Sequence, residues 1–298
     1  MSRSKKALKW LSAAGEILDG SAHLVYTPRE LLRHLDQSVA MELKHHRPSQ
    51  DKLPQVLQKA GLLQIVDLYP LDRKPGSKDR PLFTRYTRER AVPLAIAQSL
   101  RAGSYLCHAT AAALHDIAPA GNTIYVNKEQ GPKPRPTGGL SQEGITRALT
   151  ASPRFTSYQL TDGTHTYILL NGKHTDAAGV EDLDHEQGTL RVTNLARTVV
   201  DLIVRPQYAG GAQAVLDAIR RAIGRVRVDD LANVLKDLDY VYPYHQALGF
   251  YLEKAGSPGP TLAPIHQWGM EYDFYLEQGA TPSTFDAKWR IHYPAQLR

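Results

Sequence analysis

Cysteine is nearly absent from this chain of 298 residues, which contains only Cys107. A single thiol can form neither an internal disulfide nor a cysteine-based zinc site, and we expect a cytoplasmic protein. The apolar setting of Cys107, LCHATAAAL, predicts a buried and unreactive thiol. The chain also lacks any run of about 18 apolar residues, so we expect no membrane span. Its first residues lack the pattern of a secretory signal.

Several enzyme signatures are missing as well, namely HExxH, GxSxG, the Walker phosphate loop and GxGxxG. Twelve histidines are present, but His108 and His115 lie seven positions apart on a predicted helix. That spacing separates them by roughly 10 Å along the axis, at about 1.5 Å per residue, which is too far for one shared metal ion. We therefore expect a protein that is not an enzyme and has no metal, no cofactor and no catalytic residues.

Positive charge is concentrated in the first third of the chain. Residues 1–100 contain 17 Lys+Arg against 10 Asp+Glu, whereas residues 101–298 contain 19 against 20. This asymmetry predicts a module that binds a polyanion, attached to a nearly neutral body. A basic surface that is merely solvated is the alternative.

In the first 88 residues, helical sequence patterns come first and strand patterns follow. Apolar spacing and turn residues predict three helices and then two strands, at 4–18, 28–36, 52–60, 62–69 and 82–87. Thr27 and Glu30 form a capping box, Ser49 or Asp51 caps the third helix, and Gly61 ends it. This order is typical of a winged helix-turn-helix domain.

Polar and cationic side chains cluster where such a domain touches DNA. The third helix would enter the major groove, and the residues that we predict to contact DNA there are Arg47, Ser49, Gln50, Lys52, Gln55, Gln58 and Lys59. The turn between the strands would reach phosphates or the minor groove through Arg73, Lys74, Lys78 and Arg80. We expect double-stranded operator DNA as the partner, and a palindromic operator would need the paired reading heads of a dimer.

The remaining sequence predicts a second domain. An alanine-rich buried helix at 104–117, a strand, a long loop at 127–144, further strands and then amphipathic helices suggest a mixed arrangement. The predicted fold class is α+β, with a winged helix-turn-helix domain at 1–88 and a larger mixed α+β domain at 89–298 that ends in a helical part. Arg197 and Asp201, four positions apart, predict an ion pair on one helix face.

Two groups of acidic residues permit other interpretations. The carboxylates at Glu181, Asp182, Asp184 and Glu186 could hold a divalent cation, but strand alternation favours a solvated edge strand. Asp286 and Lys288, with Glu271 or Asp273 upstream, mimic the acid pattern of nucleases. A magnesium-dependent nuclease is therefore the enzyme alternative, and a stand-alone regulator is a third hypothesis.

Four local strings resemble AbiEi-family antitoxins. They are Leu114-His115-Asp116-Ile117, the Val192-Thr193, Arg197-Thr198 and Asp201-Leu202 pattern, the Leu248-Gly249 and Leu252-Glu253 helix, and the closing Lys288-Trp289-Arg290 strand. Ala196, in place of an acidic residue, and His292-Tyr293-Pro294, in place of an asparagine, depart from that pattern. The resemblance implies the antitoxin of a type IV toxin-antitoxin system, which represses its own promoter and opposes a nucleotidyltransferase toxin of the AbiEii kind.

Overall fold

A computed structural model describes residues 3–72, 80–88, 92–134, 138–279 and 284–297. Its helices are α1 (Arg3–Asp19), α2 (Pro28–Ser38), α3 (Met41–Lys44), α4 (Leu53–Lys59), α5 (Pro93–Ser99), α6 (His108–Leu114), α7 (Gln142–Thr150), α8 (Leu195–Val204), α9 (Ala212–Ala222), α10 (Val228–Leu238), α11 (Tyr244–Lys254) and α12 (Gly259–His266). Its strands are β1 (Val25–Tyr26), β2 (Gln64–Pro70), β3 (Phe83–Thr87), β4 (Tyr105–Leu106), β5 (Thr123–Asn127), β6 (Gln159–Thr161), β7 (Thr166–Leu170), β8 (Val180–His185), β9 (Gly188–Thr193), β10 (Phe274–Tyr275), β11 (Thr284–Asp286) and β12 (Ile291–Tyr293). This mixture confirms the predicted α+β class.

The chain divides into two compact units. Unit 1 comprises Met1–Ser104, Tyr158–Tyr167 and Leu183–Leu190, and unit 2 comprises Tyr105–Ser157, Ile168–Asp182 and Arg191–Arg298. The chain passes between the units within β7, β8 and β9. The predicted domain border at residues 88 and 89 falls within unit 1.

The helices of unit 1 form as their sequences indicate. The capping box before α2 is present, because the Thr27 side chain accepts from the Glu30 N–H at 3.2 Å and Glu30 accepts from the Thr27 N–H at 2.8 Å. Leu31 and Leu35 on α2 point into a common apolar core. Its buried members are Trp10, Ala14, Leu18, Tyr26, Leu31, Leu35, Val39, Leu53, Leu57, Leu63 and Tyr86.

A hairpin follows α4 in unit 1, as the sequence predicts. β2 and β3 are antiparallel, with a register that runs from Gln64 opposite Thr87 to Leu68 opposite Phe83. β2 also pairs with β6, and the strand order within unit 1 is β1-β3-β2-β6. β2 therefore has hydrogen-bonding partners on both sides and does not present a free edge there.

Unit 2 is built around a largely helical core. α8 is buried along most of its length, and α9, α10 and α11 contribute further buried residues to the same cluster. β4 pairs with β5 on one side and with β9 on the other. A second sheet near the end of the chain has the order β10-β12-β11.

Some predicted elements differ from the observed ones. Residues 104–117 do not form one helix, because Tyr105 and Leu106 belong to β4 and the helix begins only at His108. α7 begins within the predicted loop 127–144, and α3 and α12 were not predicted. After α12 the chain forms the β10-β12-β11 sheet, so the expected helical end of the second domain is wrong. Lys288-Trp289-Arg290, which was expected to be a strand, forms the turn between β11 and β12. α5 begins at Pro93, since proline fits the first helical turn.

Within the described ranges, no helix combines the length and the apolar character that crossing a membrane requires.

Candidate nucleic-acid interface

The side chains of α4 divide sharply into a buried and an exposed set. Leu53, Pro54 and Leu57 are buried, whereas the polar residues on and just before the helix are exposed. The predicted DNA contacts in this exposed set are Ser49, Gln50, Lys52, Gln55, Gln58 and Lys59. Six of the predicted DNA contacts are therefore presented to solvent by one short helix and its leading turn.

Backbone hydrogen bonds fix both ends of α4. The carbonyl of Ser49 accepts from the N–H groups of Lys52 and Leu53, each at 2.9 Å. The helix has no side-chain cap, so the predicted capping role of Ser49 or Asp51 is wrong. Gly61 ends the helix with φ +73°, a left-handed conformation that glycine adopts without steric cost.

The exposed side chains of α4 have no competing partners in the part of the chain that the structure describes: neither Lys52 nor Lys59 forms an ion pair there. Between Glu42 and Asp67 the sequence holds one acidic residue, Asp51, which is exposed. A negatively charged ligand would therefore meet little competition for these two lysines.

Arg47 is placed differently from the α4 residues. Its guanidinium forms an ion pair with Asp36, and its side chain is only 21% exposed. This ion pair connects the turn before α4 to α2. Arg47 therefore helps to position α4. Its charge is already neutralised by Asp36.

The hairpin supplies one described cation of the predicted set. Arg80 is exposed just before β3. Arg73, Lys74 and Lys78 lie outside the described residues. Leu71 and Leu82, at either end of the turn, are 44% and 53% exposed.

Unit 1 has further cations that the sequence-based set omits. Lys5 and Lys9 on α1 and Arg29 and Arg33 on α2 are exposed. Only part of the surplus positive charge therefore lies on α4. Arg85 on β3 is instead buried, and it donates to the Ser99 side chain at 2.8 Å and the Ser99 carbonyl at 2.9 Å, which holds the end of α5.

The residues of the nuclease hypothesis make structural contacts in unit 2. Asp273 pairs with Arg290 at 2.7 Å, Lys288 pairs with Glu253, and Asp286 accepts from the Trp289 N–H at 2.8 Å. Across the described ranges, no group of three or more His, Cys, Asp or Glu residues has a metal-binding arrangement. These observations give no support to a magnesium site at this position.

The predicted ion pair on α8 is present and buried. Arg197 Nε lies 2.8 Å from Asp201 Oδ1, and the two residues are 4% and 5% exposed. Arg197 also donates to the carbonyl of Ala178 at 2.7 Å. This pair links α8 to the segment before β8, which is the structural role that the spacing indicated.

His108 and Cys107 are buried close to that pair. Burial, together with Arg197 and Arg205, lowers the pKa of His108 to about 4, while Asp201 opposes the shift. Its backbone has φ +52°, and its Nδ1 atom has no hydrogen-bond partner among the described residues. Burial raises the pKa of Cys107 well above its ordinary value, in keeping with the predicted unreactive thiol.

Two of the AbiEi-like strings meet in space although they are distant in sequence. The ring of Trp289 packs directly on Gly249, where a Cβ atom would overlap with it. Trp289 Nε1 donates to Glu253 at 2.6 Å, and Glu253 also binds Lys288. The Gly-Glu helix and the Lys-Trp turn between β11 and β12 therefore form one packing contact.

The described chain is thus an α+β protein with an exposed polar helix next to a hairpin. Its fold is similar to that of the crystal structure of the RV2827C protein from Mycobacterium tuberculosis, with a TM-score of 0.56 and 14% identity over 97% of this chain and 92% of that one. At this identity the likeness concerns the fold alone. No protein-family model matches the chain, and no curated protein matches it significantly.

Proposed function

We propose that this chain is a DNA-binding transcriptional regulator whose first 88 residues form a winged helix-turn-helix domain. In this proposal α4 is the recognition helix and the β2–β3 hairpin is the wing. The observation that carries the proposal is the exposed set Ser49, Gln50, Lys52, Gln55, Gln58 and Lys59 on α4 and the turn before it, followed directly by a hairpin.

The lysines and the glutamines of this set would contribute to DNA binding in different ways. Lysines neutralise phosphates and supply affinity that depends on salt. Glutamines can form two hydrogen bonds with the edge of an adenine and so supply sequence specificity. Arg80 would add a phosphate contact from the wing.

A salt titration tests this proposal. Lys52→Ala combined with Lys59→Ala should make the slope of log K against log salt shallower by about 1.8, at roughly 0.9 per phosphate contact. Fluorescence anisotropy with operator DNA, recovered by selection from random sequences, measures this slope. Gln55→Ala with Gln58→Ala should instead reduce discrimination between operator and random DNA.

Arg147→Ala with Arg154→Ala is the matched control, because both arginines are exposed and belong to unit 2. The control should bind with an unchanged slope. Equal slopes for the α4 double variant and the wild-type chain would remove α4 from the interface.

We further propose that the regulator is the antitoxin of a type IV toxin-antitoxin system in the cytoplasm. The four AbiEi-like strings support this, and so does the packing of Gly249 against Trp289, which gives two of those strings a common structural reason. In this proposal the partner is a nucleotidyltransferase toxin, and the chain represses their shared promoter as a dimer.

Co-expression tests the antitoxin role. A nucleotidyltransferase encoded by the neighbouring gene should arrest growth alone, and growth should recover when this chain is also expressed. Growth arrest that persists, or a neighbouring gene of another kind, would refute the antitoxin role while leaving DNA binding to be judged by the titration.

A further inference from the structure

An apolar recess opens on the surface of unit 2, away from any residue of the proposed DNA interface in sequence. Its volume is about 170 Å³. Val199, Ile219, Leu231 and Leu252 form its floor and are each at most 2% exposed. Such a volume is large enough for one benzene-sized group, since an engineered apolar cavity of about 150 Å³ accepts benzene.

The mouth of the recess is accessible and preformed. Ile223 is 38% exposed there, and Pro258 and Thr261 at the opposite side are also exposed. The turn that carries Ile223 is held by a bridge between Ile223 and Val226 and by Gly224 with φ +84°. A fixed turn means that a ligand would not have to order this part of the chain on binding.

Arginines alternate with the residues that line the recess. Gly224, Val226 and Val228 line it, while Arg225 and Arg227 lie between them and are exposed. From residue 217 to residue 230 the sequence has four arginines and three aspartates. The chain segment that lines the recess between α9 and α10 therefore also carries exposed arginines.

Two of these four arginines, Arg221 and Arg225, have no carboxylate partner among the described residues. Arg220 pairs with Asp217 at 3.3 Å and Arg227 with Asp229 at 3.2 Å. Arg225 donates to the carbonyl of His115 at 2.7 Å, and Arg221 donates to that of Ile117 at 3.5 Å. Carbonyl oxygens orient a guanidinium without neutralising it, so both remain available to a carboxylate.

We infer that this recess binds an acidic segment of a partner protein, with one large apolar side chain in the recess and neighbouring carboxylates on Arg221 and Arg225. A large side chain in a desolvated pocket, surrounded by polar contacts, is how protein interfaces concentrate their affinity. DNA phosphates could contact the arginines, but DNA would leave the apolar floor of the recess unfilled. A second copy of the same surface would bring its own arginines against these. The inference does not depend on the proposed DNA binding.

Selection from a displayed library of random 12-residue peptides tests the inference on the full chain. The enriched peptides should share a Phe, Leu or Trp next to Asp or Glu. Thr261→Phe, at the exposed mouth, should weaken their binding at least tenfold by occupying the recess, and Arg225→Glu should do so by reversing the charge.

Arg147→Glu is the control, because it makes the same charge change at an exposed site that does not line the recess. It should leave peptide affinity within twofold of wild type, and replacing the apolar anchor of the peptide by alanine should cost at least tenfold. Thermal melting of Thr261→Phe and Arg225→Glu verifies that both fold.

Other outcomes would overturn the inference. One is a set of enriched peptides that lacks the large apolar residue or lacks the acidic residue. Another is that the wild-type chain enriches peptides no more than Thr261→Phe does. A third is that Arg147→Glu and Arg225→Glu lose equal peptide affinity. Self-association that Thr261→Phe abolishes would identify a second copy as the occupant instead. A loss of DNA affinity in Arg225→Glu as large as that in the Lys52→Ala and Lys59→Ala variant would identify nucleic acid.

Discussion

Charged side chains on α4 of unit 1 and on α8 of unit 2 have opposite surroundings. Lys52 and Lys59 are exposed and unpaired among the described residues, whereas Arg197 and Asp201 are buried and bonded to each other. Removing an exposed lysine affects mainly what the protein binds, while removing one member of a buried pair leaves a charge without compensation. Arg85 in unit 1 resembles the α8 pair, since it is buried and holds α5. The difference teaches that burial, more than residue type, separates charges that are accessible to a ligand from charges that support the fold.

The largest loss of stability is expected when the buried Arg197–Asp201 ion pair is broken. Arg197→Ala should lower the free energy of unfolding by about 3–5 kcal/mol, because Asp201 is then left buried without its cation. Urea denaturation followed by circular dichroism measures the loss. Arg220→Ala is the control, since that arginine is exposed and its pair with Asp217 is worth at most about 1 kcal/mol. Similar losses in the two variants would contradict the comparison.

His108 should make the stability of unit 2 sensitive to acid. Its pKa is lowered to about 4 in the folded chain, whereas an unfolded histidine titrates near 6.5. Between these values the unfolded state binds a proton that the folded state does not, so stability falls as the pH drops from about 6.5 to 4.

His108→Asn removes this titration and suits the left-handed backbone at that position. The wild-type chain should lose on the order of 3 kcal/mol more than the variant over that pH interval. Urea denaturation at pH 7 and pH 4.5 compares the two, and parallel losses would show that His108 is not responsible.

The smallest loss of stability is expected when the N-cap of α2 in unit 1 is removed. Thr27→Ala removes the side-chain acceptor of the capping box before α2 and should cost about 1 kcal/mol. Thermal unfolding measures this cost, with Thr27→Ser as the control that keeps the hydroxyl. The operator affinity should change little, because Thr27 is not among the proposed contacts. A large loss of DNA affinity without loss of stability would contradict the assignment of Thr27 as a purely structural residue.

Local rules predicted the parts of the molecule whose physics is local. The capping box at Thr27, the end of α4 at Gly61 and the pair Arg197–Asp201 each depend on residues at most four positions apart. The β2–β3 hairpin is also local, since both strands flank one turn. The exposed face of α4 was likewise predictable, because the spacing of its apolar residues identifies the buried face of the helix.

The sequence could not predict elements that depend on distant partners or very short segments. β10 is two residues long and pairs in parallel with β12, which lies further along the chain. α12 contains Pro264, which reads as a helix breaker, and α7 starts after a glycine- and proline-rich stretch. Within the candidate interface, the ion pair between Arg47 and Asp36 spans eleven positions and was not predicted.

The contact between Gly249 and Trp289 has a consequence for synthesis of the protein. α11 reserves a space that only the ring of Trp289 fills, and this residue is translated forty positions later. A chain that stops before Trp289 therefore lacks the ring that covers Gly249 on α11. Such an incomplete chain exposes apolar surface, which makes partly folded chains prone to aggregation.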